Sequence, residues 1–113
     1  MELKIRQEDD YVIASTVGSI DALADPLFRD KLHPIVRERG TKLILDVTGS
    51  NFLSSAGISS IVLLVTDANT CGSRVVLANP SPFVANVLSV TKLNNFLTTA
   101  ASIEEAVKLL TGA

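Results

Sequence analysis

The chain has 113 residues, enough for one domain and one hydrophobic core. Its 47% hydrophobic content and mean hydropathy of +0.37 exclude a disordered tail. Ten basic against twelve acidic residues, for a net charge of −2, exclude a basic footprint for nucleic acid or anionic lipid. One cysteine excludes an internal disulfide, and one histidine a His-rich metal cluster. No tryptophan and one tyrosine leave little for stacking bases.

From the N-terminus, Glu2 to Arg6 alternates charged and apolar residues, with Leu3 and Ile5 on one side. Tyr11 to Val17 is rich in β-branched residues, and Glu8-Asp9-Asp10 reads as the link of a hairpin. Asp25-Pro26 then suggests a helix N-cap with proline at the first position, and Asp21 competes as a cap one turn earlier. Ala24, Phe28, Leu32 and Ile35 share a helical face. Pro34 predicts a kink or loosened turn near His33, and Gly40 the helix end.

Leu43 to Val47 reads as a central strand buried on both faces. Helical periodicity resumes from Ala56 to about Asn69, where Ile58, Ile61, Val62 and Val65 align; Cys71-Gly72 closes the helix. Arg74 to Ala78 is a further strand and Asn79 to Pro82 a turn. Val84, Val87, Leu88 and Thr91 form the next helical face, and Phe96 to Thr99 a short edge strand. Ser102-Ile103-Glu104-Glu105 is a capping box, after which Ile103, Val107 and Leu110 face the core and Gly112 stops the last helix. The order is β-β-α-β-α-β-α-β-α: an α/β domain over residues 1–113, with a mixed, mostly parallel sheet of about five strands and four helices. The longest apolar run, Ile61 to Val65, is far short of the roughly 18–20 residues of a membrane span. A cytoplasmic protein without membrane insertion is expected, with no cofactor.

Enzyme motifs are missing. The chain has no phosphate loop, no dinucleotide-binding glycine pattern and no nucleophile elbow. His33 reads as a surface or boundary residue, Cys71 as an inert small residue, Tyr11 as a strand residue and Asp46 as a turn carboxylate. A hydrolase built on Ser55 with Asp21 or Asp46 lacks a base, because His33 is predicted on a distant helix.

The informative segment runs from Asp46 to Ile58 and joins a buried strand to a helix. Ser54 or Ser55 can be the N-cap there, while Gly57 lets the first turn pack closely. A helix start also stabilises a phosphate through its free amides and dipole, so one serine is a candidate phosphorylation site. Leu63 and Leu64 fall off the main stripe of that helix, and Phe83 and Val90 off the next; these are candidates for an apolar partner surface.

Three motifs resemble the STAS domain family in its small form, the anti-sigma factor antagonist. They are Gly18-Ser19-Ile20-Asp21 followed by Ala24, then Leu43-Ile44-Leu45-Asp46-Val47, then Phe52-Leu53-Ser54-Ser55-Ala56-Gly57-Ile58. The resemblance covers residues 3–111. It implies a binding module that is not itself an enzyme. Such a module sequesters an anti-sigma factor serine kinase of the histidine-kinase-like ATPase type. Phosphorylation on a serine releases it, and a PP2C-type phosphatase resets it. Motif matching places that serine at Ser55, with Ser54 as second choice. Asp21, Ser54, Ser55, Ala56, Gly57 and Ile58 are the implied partner-binding residues. Many phosphorylated members carry aspartate directly before the target serine, where this chain has Ser54. The resemblance also admits a constitutive scaffold subunit of a signalling or lipid-transport complex.

Overall fold

A computed structural model describes residues 1–112; the last residue of the predicted domain lies outside them. Strands β1 (Glu2–Gln7) and β2 (Val12–Val17) form an antiparallel hairpin, with Glu2 opposite Val17 and Gln7 opposite Val12. The chain then alternates. Helix α1 (residues 24–36) leads to β3 (Lys42–Gly49), and α2 (Ser55–Thr70) to β4 (Arg74–Ala78). Helix α3 (Pro82–Val90) and a 3-10 turn, Leu93–Asn95, lead to β5 (Thr98–Ala100) and α4 (Ile103–Thr111). The sheet order is β1-β2-β3-β4-β5, parallel from β2 onward.

That order dictates the layers. Successive right-handed crossovers, each to the next strand along, place every connecting helix on the same face. Helices α1, α2 and α3 therefore cover one face, and α4, which follows the last strand, folds back on the other. Along β3, Leu43, Leu45 and Val47 point to the three-helix layer and Ile44 points to Ala106 and Leu110 of α4. All four β3 residues are fully buried, as expected of a central strand. Each such side chain contributes about 1.5–3 kcal/mol relative to exposure.

Helix α1 departs from the sequence reading at its start and its end, and carries the loosened turn expected near His33. It begins at Ala24, so Asp25 lies in the first turn and is not the cap. Asp21 acts a turn earlier: its Oδ1 accepts the Leu23 N–H at 3.0 Å, and its carbonyl accepts from Ala24 at 2.9 Å. The loosened turn is a π-helical segment, Phe28–Leu32, in which the His33 N–H bonds back to the Phe28 carbonyl. A widened turn relieves the ring of Pro34, which lacks an N–H and crowds the preceding turn. The helix stops at Val36, and Gly40, at φ +85°, serves the turn into β3 instead of the helix end.

Helix α2 buries a wider arc than one stripe: Gly57, Ser60, Ile61, Leu64, Val65 and Ala68. Leu64 is therefore core and no part of a partner surface, whereas Leu63 is exposed. The last strand is shifted toward the C-terminus. Phe96 and Leu97 sit before it, with Leu97 buried and Phe96 exposed. In α4 the Ser102 hydroxyl accepts the Glu105 N–H at 3.1 Å, and Gly112 caps the end at φ +74°. Among the described residues no helix is long and apolar enough to cross a membrane.

Candidate functional site

The segments leaving β2 and β3 continue side by side past the sheet. The Gly18 N–H donates to the Gly49 carbonyl at 3.0 Å, and the Ile20 N–H to the Phe52 carbonyl at 2.9 Å. The Ser54 N–H then donates to the Ile20 carbonyl at 3.0 Å. Beneath them the hydroxyls of Thr16 and Ser50 meet at 2.7 Å in a buried pair. This zipper brings Asp21, read from one motif, next to the Ser54 segment, read from another.

Ser54 is the N-cap of α2. Its backbone is extended, and its hydroxyl oxygen accepts the Gly57 N–H at 3.1 Å. Its carbonyl accepts the Ile58 N–H at 2.8 Å, the first helical bond. Ser55 is the first helical residue and is exposed. Its hydroxyl finds no hydrogen-bond partner among the described residues, so the two adjacent serines divide between structure and surface. Ala56 is also exposed.

Gly57 is buried, and a β-carbon there would lie 2.0 Å from the Ile20 carbonyl oxygen. It belongs to the packing of α2 on the Ile20 strand extension and offers no surface to a partner. Ile58 is half-buried against the main core. The surface expected from the sequence thus narrows to Asp21, Ser54, Ser55 and Ala56, with part of Ile58.

Sequence reasoning offered Phe83 as an apolar surface candidate but missed Leu23 and the partnership of Phe83 with Phe52. Phe52 and Phe83 stack with ring centroids 5.5 Å apart and planes inclined by 24°, and each is nearly half exposed. Leu23, two residues after Asp21, is 71% exposed. Residues 47–66 and 75–91 contain no charged side chain, although the chain carries 22 charged residues. Those stretches build the α2 start and the whole of α3, so this surface is uncharged over a wide area. Charge depletion with exposed aromatics is the composition of a protein-interface core. The uninterrupted neutral stretches were the signal in the sequence.

The remaining candidates lie elsewhere. Asp46 accepts from the Ser15 hydroxyl at 3.1 Å and from both the N–H and the hydroxyl of Thr48, as a turn carboxylate does. Tyr11 is half-buried against the α4 side of the core, and Cys71 is half-buried at the end of α2. His33 is buried instead of lying at the surface. The π turn aims it at α2, where Nδ1 lies 2.7 Å from Asp67 Oδ2; Arg37 Nε donates to the same oxygen at 2.9 Å. The hydrogen bond from His33, reinforced by Arg37, holds the Asp67 carboxyl below its ordinary value of 3.8 against the opposing effect of burial. His33 thus pairs with α2 well beyond its first turn, twelve residues past Ser55, and is placed to clamp helices, not to activate Ser55.

Five strands in chain order, three helices on one face and a fourth on the other, and a serine-led helix pinned to the end of β2 form an α/β domain of STAS type. The STAS domain model matches residues 2–106, and the chain belongs to that family. Its fold is similar to the anti-sigma factor antagonist SpoIIAA in unphosphorylated form: 21% identity, TM-score 0.81, covering 99% of this chain and 98% of that one. SpoIIAA of Bacillus in phosphorylated form is similar at 20% identity and TM-score 0.73, covering 96% and 99%. The domain also resembles part of the murine Slc26a9 anion transporter, at 21% identity and TM-score 0.79, covering 96% of this chain and 19% of that one.

Proposed function

We propose that this single STAS domain is an anti-sigma factor antagonist. Unphosphorylated, it sequesters an anti-sigma factor serine kinase; phosphorylation of Ser55 ends the complex, and a PP2C-type phosphatase restores it. The observation that carries this reading is the division of labour between the two serines. The Ser54 hydroxyl is occupied as the helix cap, and the Ser55 hydroxyl is exposed on the first turn beside unbonded amides. A phosphate there gains from the helix dipole and leaves the cap intact, so the domain stays folded. It also places about −1.5 to −2 charges on a surface whose one other charge is the carboxylate of Asp21. A partner seated on Leu23, Phe52 and Phe83 would have to desolvate that charge without a compensating cation on this chain, which is costly. The module binds and is modified; it carries out no chemistry of its own, and its place is the cytoplasm, where such kinases act.

Peptide mapping of the protein purified from its native host, before and after PP2C-type phosphatase, tests the assignment. A phosphatase-sensitive phosphate on Ser55 is expected. A phosphate on Ser54 would refute the division of labour. The absence of phosphate under growth and stress alike would favour a constitutive scaffold.

A further inference from the structure

Away from Ser55, α1 and α2 enclose a groove of about 260 Å³ lined by Arg29, His33, Arg37, Leu63 and Asp67. Arg29, His33 and Arg37 follow one another at four-residue spacing along α1 and its C-cap. Each is held by a single nitrogen. Arg29 Nε donates to Asp25 Oδ2 and Arg37 Nε to Asp67 Oδ2, both at 2.9 Å, and His33 uses Nδ1. A carboxylate only accepts, so the His33 proton sits on Nδ1 and Nε2 is uncommitted. Among the described residues no buried side-chain nitrogen lacks a partner. His33 Nε2 has none there, so it is not fully buried, and His33 lines the groove. The terminal nitrogens of both arginines also have no acceptor among the described residues. Clamping α1 to α2 explains Nε and Nδ1 and leaves the terminal arginine donors and His33 Nε2 unused.

We propose that this groove binds a tetrahedral oxyanion of the phosphate or sulfate class. The terminal nitrogens of Arg29 and Arg37 hold its oxygens, and His33 Nε2 supplies a third contact. Guanidinium groups already fixed through Nε present their outer nitrogens in a set plane, which suits such an anion. Neutral His33 meets the anion with a lone pair, whereas protonated His33 donates to it. Binding is therefore coupled to proton uptake and strengthens as pH falls. The groups facing His33 are Asp67 and, beyond it, Cys71 on α2, with Arg29 and Arg37 on α1 and Asp25 paired to Arg29. The two carboxylates balance the two arginines, so the cluster gains net positive charge only on protonation of His33.

The test is a titration of the intact chain with sulfate, whose charge is constant between about pH 6 and pH 8, at ionic strength fixed with chloride. The readout is the imidazole NMR signal, unique because His33 is the only histidine. The expected result is a saturable shift, with affinity roughly tenfold higher at the acid end, as one added charge-assisted bond implies. Arg29→Gln, which leaves the His33–Asp67 pair in place, should weaken binding severalfold with unchanged thermal stability. A shift that chloride alone reproduces, or equal sulfate affinity in Arg29→Gln, overturns the proposal. A parallel titration with ATP separates sources. Tighter binding than sulfate assigns the site to a nucleotide phosphate, and equal or weaker binding to a free oxyanion.

Discussion

Gly57 lies directly under the carbonyl of Ile20: a β-carbon at residue 57 would come within 2.0 Å of that oxygen and 2.6 Å of its carbon. The obstacle is backbone, and that backbone is fixed by hydrogen bonds to Phe52 and Ser54 on either side. Gly57→Ala must push α2 away from the β2 extension. It is expected to cost about 2–3 kcal/mol, in the range of overpacked sites, measured by urea denaturation. Because it also moves the Ser55 turn, partner affinity should fall with it.

The adjacent serines should separate cleanly. Ser54→Ala removes the N-cap acceptor of the Gly57 N–H and should destabilise the domain by about 1 kcal/mol. Ser55→Ala removes an exposed hydroxyl and should leave the unfolding midpoint within about 0.5 kcal/mol of the parent. Equal losses would mean that the capping role is shared.

Asp67 gives the domain a pH-dependent component. Its folded value lies below the ordinary 3.8 because His33 and Arg37 hydrogen-bond the ionised form. A depressed carboxyl contributes stability above about pH 4, and that contribution fades as pH drops through the folded value. Asp67→Asn should therefore cost on the order of 1 kcal/mol at neutral pH. The gap to the parent should shrink in denaturation curves as pH is lowered through the folded value.

The stacked rings of Phe52 and Phe83 are half exposed, so they cost surface without filling the core. Phe83→Ala should lower stability by about 1 kcal/mol or less, the worth of an exposed aromatic pair. It should weaken kinase binding by more, about tenfold or beyond, as an interface aromatic does. Titration calorimetry alongside denaturation checks both halves. Unchanged affinity would place the partner elsewhere.

Much of this was legible in the sequence, for local reasons. The five strands and four helices were anticipated, though not the 3-10 turn Leu93–Asn95, because the periodicities of Leu43 to Val47 and of Ile58 to Val65, and the caps at Ser102 and Gly112, are carried by neighbouring residues. The errors arose where distant residues decide. Asp21 and Asp25 are both plausible caps, and the Ile20–Phe52 bond selects Asp21's turn. Leu64 looked off-stripe because a helix lying among other helices buries a broad arc. His33 looked exposed because only the π turn before Pro34 aims it at Asp67, 34 residues away. At the site, Asp21 and the two serines could be read from motifs. The Phe52–Phe83 stack could not, since it joins the loop before α2 to the first turn of α3, with no shared pattern.

The central claim is that charge at Ser55 decides partner binding. Its most direct measurement is the affinity of the anti-sigma factor kinase for Ser55→Asp and Ser55→Ala, side by side, with the fold of each confirmed by its unfolding midpoint. The account predicts tight binding to Ser55→Ala that ATP no longer dissolves, and binding to Ser55→Asp weaker by roughly tenfold or more. Equal affinity of the two variants would contradict it.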